Sequence, residues 1–295
     1  RTETLATLNE VSGPLPTFLA GVEQIVSLSG GGRAAFLLGQ FSAEGWWYYF
    51  PVAFAVKTPL LVLLLFAVAG VLLLARPTTR GKALYLLIPA LGFFLVSMQS
   101  GLNIGYRHLL PILPFLYLLG VGLIALPGAA ARAGPAARRL PQLVMAGALL
   151  SLLLIDGLLH PHYLSYFNLA AGGPANGSRV LIDSNIDWGQ DLKRLKAWMD
   201  EKGVDEIKLS WFGTADPAYY GIDYEPLPGL PRHFELWWDV PFDPGDPEPG
   251  VYAISASNLW ELPLTDKVVF PWFRAREPDD RIGYSIFIYD VGQDD

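Results

Sequence analysis

The sequence contains no cysteine. Disulfides, zinc–thiolate sites and thiol nucleophiles are therefore excluded. The redox compartment stays open, because many extracytoplasmic domains carry no disulfide. Charge is scarce too, at 17% of residues against 52% apolar. That mixture is too apolar for an ordinary soluble protein of this size. The charge that exists is divided unevenly. Residues 1–159 hold ten Lys/Arg and five Asp/Glu, whereas residues 160–295 hold eleven and twenty-three. An acidic tail of this kind repels phosphates, which argues against nucleic acid as a partner. No internal repeat is visible. The chain starts at Arg1 in mid-pattern, without a signal peptide, so processing or further upstream sequence is expected.

Long apolar runs, by contrast, are abundant between residues 51 and 159. A bilayer span needs about 20 residues. Four segments are read as spans: Pro51–Ala75, the shorter Ala83–Met98, Leu109–Leu126 and Leu140–Leu159. Buried core helices are the alternative, but four such runs in so short a stretch would need a much larger soluble shell. Lys and Arg in short loops set orientation. Arg76, Arg80 and Lys82 follow the first run, and Arg132, Arg138 and Arg139 follow the third. Both loops read as cytoplasmic, the second as a flexible low-complexity stretch. Residues 1–50, the loop Gln99–His108 and the tail from His160 then lie on the other side. The expected architecture is a polytopic α-helical membrane region of about four spans, followed by a small α/β extracytoplasmic domain. Its parts are an interfacial segment (1–50), the membrane region (51–159) and an acidic domain (160–295), placed in the plasma (inner) membrane.

Periodicity in the tail supports the α/β reading. Strands are expected at Arg179–Ile182, Glu206–Trp211, His233–Trp238, Gly250–Ser255 and Arg281–Val291. Apolar residues at 188, 192, 195 and 199 predict an amphipathic helix over Trp188–Glu201. Pro217–Tyr220 reads as a short helix or turn, and the Pro-rich stretch 242–250 as a loop. The stretch DSNIDWGQDL (183–192) then lies between a strand and a helix. Asp187 fits an N-cap, Gln190 completes a capping box, and Asp191 suits the positive end of the helix dipole. Asp183, Ser184 and Asn185 remain, at the strand end where α/β sheets commonly bind ligands. Asp183 with Asp187 could hold a divalent cation through oxygens, although the spacing matches no metal loop. Capping and a tail site formed by Asp183, Asn185 and Asp187 both stay open.

Four stretches together resemble the C-terminal half of bacterial membrane glycosyltransferases of the protein-O-mannosyltransferase-like group (glycosyltransferase family 39, GT-C superfamily). They are FLLGQFSAEGWWYYFPVAFAVKTPL (36–60), NIGYRHLLPILPFLYL (103–118), HPHYLSYFNLAAGGP (160–174) and DSNIDWGQDLKRL (183–195). The resemblance implies sugar transfer from a polyprenyl-phosphate carrier to an extracytoplasmic acceptor. It also implies a catalytic carboxylate in a loop preceding Arg1. The expectation is therefore a fragment, a half completed by another membrane subunit, or a chain that does not catalyse. A membrane-anchored subunit whose acidic tail docks in a larger complex is the rival reading.

A lipid-phosphate leaving group needs cations at the membrane surface. Arg107 and His108 open the third run, and Arg can hold phosphate oxygens bidentately. Lys57 lies within the first run, where an unpartnered charge is costly. Each of the three could instead be an interfacial anchor. Trp46, Trp47 and Tyr48 read as an interfacial aromatic belt or as contacts for sugar or lipid. Glu44 is the acid beside them and the candidate general base, or merely a solvated loop acid. His160 and His162 could bind metal but are more commonly interfacial, so no metal site is assigned.

Overall fold

The computed structural model describes residues 14–31, 34–123, 135–229, 242–260 and 268–292. It is a mixed helix-and-sheet protein. After α1 (Pro14–Gly31) comes a short antiparallel hairpin of β1 (Ala35–Leu37) and β2 (Gln40–Ser42). The apolar region then contains α2 (Tyr49–Lys57), α3 (Leu60–Leu74), α4 (Pro77–Ser97), a 3-10 turn (Tyr106–Ile112) running into α5 (Leu113–Val121), and α6 (Pro135–Leu159).

Two helices are long and apolar enough to cross a membrane, Pro77–Ser97 and Gln142–Leu159. A third span exists only if the bent pair α2–α3 is counted as one. Here the expected run Pro51–Ala75 is corrected, because the two helices meet at 112°. Pro59 explains the break, since it lacks an N–H and restricts the residue before it to extended backbone. Thr58 accordingly sits at φ −99, ψ 134. The third expected run is shorter than a bilayer, spanning Tyr106–Val121; residues 124–126 fall outside the described part. The second run is longer than its apolar core suggests, because α4 starts at Pro77 and carries Pro89 inside it.

These helices pack around α3. Val62, Leu65, Phe66, Ala69 and Leu73 are buried with Leu119, Leu123, Met145 and Ala148. Gly120 permits the approach of α5, since a Cβ there would lie 3.0 Å from the Leu65 side chain. The outer faces are left apolar and open. Ile88, Leu91, Leu95, Leu118, Leu150 and Leu153 are all more than half exposed. A continuous apolar surface of this kind is what a lipid environment covers.

The tail builds a five-stranded mixed sheet in the order β4-β3-β5-β7-β6. Its strands are β3 (Glu206–Ser210), β4 (Asp223–Pro226), β5 (Gly250–Ser255), β6 (Asp280–Ile282) and β7 (Ile286–Val291). β3 runs parallel to β4 and β5, whereas β7 is antiparallel to β5 and β6. Strand alternation divides the sheet into two faces. Ala253, Ile286 and Ile288 bury against Leu192, Leu195 and Met199 of α7 (Leu192–Lys202). Tyr252, Ile254, Phe287 and Tyr289 point the other way, into a cluster shared with Tyr49, Phe50, Leu109 and Ile112. The sheet therefore has one core of its own and one in common with the ends of the apolar helices. The remaining short helices are α8 (Ala256–Leu259) and α9 (Pro271–Arg274).

Three tail expectations are corrected. Arg179–Ile182 is no strand. It closes a 3-10 turn, Pro174–Arg179, and leads into another at Asp183–Asn185. The expected last strand is a hairpin, folded at Gly283 and Tyr284 with φ +60 and +64. The expected helix starts at Leu192, not Trp188. Gly189, at φ +72, and the bonds of Gln190 hold the preceding residues in a loop. The expected strand at 233–238 lies outside the described residues.

Candidate functional site

Residues 183–191 form a dense polar assembly, and it lies where the sheet meets the apolar helices. Asn185 is its centre. The side chain accepts the Tyr106 N–H at 2.9 Å and donates to the Ile182 carbonyl at 2.9 Å and the Tyr49 hydroxyl at 3.0 Å. Its backbone carbonyl accepts the Lys57 ammonium at 2.6 Å. Ser184 donates its hydroxyl to the Ile104 carbonyl. Gly105 is required beside it, because a Cβ would come within 2.1 Å of the Ser184 oxygen.

The elbow between α2 and α3 is tied to the same assembly. The last carbonyls of a helix lack intrahelical partners. In α2 the Phe54 carbonyl accepts the Thr58 N–H at 3.2 Å, and the Val56 carbonyl accepts the Asn168 N–H at 2.9 Å. The Asn168 amide donates to the Ala55 carbonyl at 2.6 Å and the Thr58 carbonyl at 2.9 Å. Lys57 turns its ammonium onto the carbonyls of Leu164 and Asn185, with the Phe167 ring 4.3 Å away. That cation also suits the negative end of α2.

Arg107 stands at the rim, exposed, with its guanidinium 4.7 Å from the exposed Trp188 ring. His108 is half-buried against Phe50, and its Nε2 has no hydrogen-bond partner. Asn103 fixes the aromatic segment by accepting the Trp46 N–H at 2.6 Å. Trp46 and Tyr48 pack on the shared core, while Trp47 is 68% exposed. Glu44 is exposed in the turn just before them.

The aspartates divide into different environments. Asp183 is partly exposed at φ +60, and its backbone N–H donates to Ser257 at 3.0 Å. Asp191 is buried at the start of α7, paired with Arg194, and accepts the Ser285 hydroxyl at 2.6 Å. Asp187 is fully buried. One oxygen accepts the Gly189 N–H at 3.0 Å; the other has no partner of ordinary hydrogen-bond geometry. Burial pushes its carboxyl well above the usual range, and the charges of Asp191 and Asp183 add to this. The Ser255 hydroxyl offsets the effect in part, short of an ordinary bond. The N-cap role expected of Asp187 is thus corrected, because its Oδ1 closes a turn with Gly189, well before α7 begins, and Asp191 stands at the N-cap. The capping box with Gln190 is absent as well, since Gln190 bonds Trp188 N–H, Ile186 carbonyl and Asp191.

Among the described residues no group of three or more His, Asp or Glu side chains could hold a metal ion. His160 faces the Tyr163 hydroxyl at 2.8 Å, and His162 lies edge-on to Tyr284. The structure therefore brings together Asn185, Lys57 and Tyr49, and separately Arg107 with Trp188. Sequence reasoning missed Asn103, Asn168 and Trp188. All three lie in the resemblance stretches, which was the available signal. Trp188 was hidden by its apparent place in a helical stripe. No family model, curated protein or solved structure matches the chain.

Proposed function

We propose that the chain is a polytopic membrane glycosyltransferase, or the C-terminal half of one, using a polyprenyl-phosphate-linked sugar. One observation carries this reading. The four stretches behind the family resemblance are scattered over residues 36–195, yet they meet in one joint through Lys57, Asn103, Tyr106, Asn168 and Asn185. A set of motifs that co-assembles in space is a unit, whatever each motif is worth alone.

In this reading Arg107 holds the lipid phosphate. Its guanidinium is exposed at the polar end of an apolar helix, where a carrier headgroup would sit, and Trp188 stacks behind it. The bond from the anomeric carbon to the phosphate oxygen breaks as the acceptor hydroxyl attacks. The leaving phosphate gains charge, and a guanidinium fork stabilises that charge more in the transition state than before it. Glu44 is the described acid at the same edge for the acceptor proton, and Trp47 offers a face for the sugar. Lys57 serves the joint, since its ammonium is spent on two backbone carbonyls. The protein is placed in the plasma membrane with its sheet domain extracytoplasmic.

A second reading, a non-catalytic membrane subunit, is favoured by one feature: Asn185, Ser184 and Lys57 use their polar atoms internally. Binding separates the two. The full chain in nanodiscs should retain polyprenyl phosphate. Arg107→Ala should lose at least tenfold in affinity, and Arg107→Lys less, because Lys keeps the charge without the fork. Equal lipid affinity in all three proteins would reduce Arg107 to an anchor and leave the subunit reading.

A further inference from the structure

A second polar assembly lies on the sheet domain, apart from the joint. Arg179, Arg274, Arg276 and Arg281 line one open cleft, together with Glu277, Trp260, Phe287 and Tyr289. The arginines come from three places: the 3-10 turn Pro174–Arg179, the end of α9, and β6. Their convergence is unexpected in a tail with twice as many acids as bases.

Glu277 occupies the mouth in an informative way. One of its oxygens accepts from Arg179 at 3.0 Å and the other from Arg281 at 3.3 Å. The side chain is nonetheless 74% exposed, and that of Arg179 is 61% exposed. Pairs so open to water contribute little to stability. They are also easily exchanged for another anion. Arg281 is already oriented by its bond to the Ala175 carbonyl at 2.8 Å and by the Phe287 ring at 5.3 Å. Arg274 is held by the Leu259 carbonyl at 3.1 Å, and Arg276 lies 3.6 Å over Trp272.

We propose that this cleft is a phosphate-binding site in which Glu277 is a built-in competitor for the incoming anion. A carboxylate has two oxygens, and Glu277 gives one to each of two guanidiniums. A phosphate ester has three terminal oxygens and a larger charge. It can replace both bonds at once. The aromatic side chains give the group attached to the phosphate an apolar face. The ligand is a phosphate ester or diphosphate, drawn from a lipid headgroup or from a soluble compound. This site is independent of the glycosyltransferase reading.

The test uses the full chain in phosphatidylcholine nanodiscs, titrated with pyrophosphate by calorimetry at fixed ionic strength. Saturable binding is expected. Arg179→Gln and Arg281→Gln should each weaken it at least tenfold, whereas Glu277→Gln should tighten it severalfold. The effects of Arg179→Gln and Glu277→Gln should persist in an Arg107→Ala background, which separates this site from the lipid contact at the joint. Arg179 makes no described bond other than that to Glu277, so its variant covers the case in which Arg281→Gln unfolds. Repeating the titration with phosphatidic acid in the nanodisc assigns the source. Competition identifies a headgroup, and undisturbed binding identifies a soluble ligand. Absence of saturable heat, or equal heat from sodium sulfate, would overturn the proposal. So would a Glu277→Gln variant that binds no more tightly than the parent.

Discussion

The apolar helices and the sheet domain solve the same packing problem with different means. In the sheet domain both faces are covered, and Leu195, Leu209, Ile254 and Ile286 are fully buried. In the helical region burial is confined to the faces around α3 and to the parts that meet the sheet, while the outer faces stay open. Apolar burial has no direction, so it cannot by itself set how two such regions fit together. Hydrogen bonds have direction. The structure places them at the boundary, on Asn168 and Asn185. The lesson is that the register between the regions is fixed by a few amides, and their bulk by apolar area.

The sharpest way to break this comparison is to ask which regions share a side of the membrane. The chain has no cysteine, so single ones can be introduced at Gly81, near the start of α4, and at Gly245, in the sheet domain. An impermeant maleimide applied to spheroplasts should label Gly245→Cys and spare Gly81→Cys. The reverse pattern would invert the orientation. The next largest contrast is between two leucines. Leu195→Ala, in the closed core, should cost about 2–5 kcal/mol. Leu158→Ala, 86% exposed, should stay within about 0.5 kcal/mol. Thermal melts of the full chain in detergent decide the matter, and comparable losses would deny the two regions different surroundings.

At the boundary, Asn185→Leu strands the Tyr106 N–H and the Tyr49 hydroxyl. Buried groups left unsatisfied cost about 1–3 kcal/mol each, so a loss of about 3 kcal/mol is expected. A loss comparable to that of Leu158→Ala would show that the amides do not set the fit. The smallest effect has the opposite sign. Burial holds the Asp187 carboxyl above its ordinary 3.8, so folding favours the protonated form. The stability tied to this group is complete below the unfolded pKa and is lost as pH rises through the raised folded value. Asp187→Asn keeps an acceptor for Gly189 and removes that loss. The variant should melt a few degrees above the parent at about pH 8, and the gap should close towards about pH 4. A variant that melts lower at the higher pH would mean the charge is wanted there, by a cation or by a ligand.

Local pattern reached part of this structure and stopped for a physical reason. The stripe Leu192, Leu195 and Met199 is legible because one helical face repeats within a few residues. β5 is legible because its chain is short and bounded by glycine and a polar turn. The joint is different. Lys57 meets carbonyls 107 and 128 residues away, and no local period records such a contact. Trp188 shows the opposite failure, a residue that continues a stripe on paper but is cut from the helix by Gly189. The hairpin at Gly283 was hidden because apolar and polar residues alternate through the turn as they do along a strand. Of the candidate site, the residue types were visible and their company was not.

The elbow at Pro59 is a hinge whose pin belongs to the opposite leaf. Three carbonyls at the bend, those of Ala55, Val56 and Thr58, are closed by one residue, Asn168, from beyond the last apolar helix. The sheet domain therefore cannot swing away from the apolar helices as a flag moves on a pole. To do so it would pull the pin and leave bare carbonyls at the edge of an apolar medium. Any working motion is confined to sliding or tilting that keeps Asn168 seated, and a ligand held at Arg107 would feel the domain and the helices as one body.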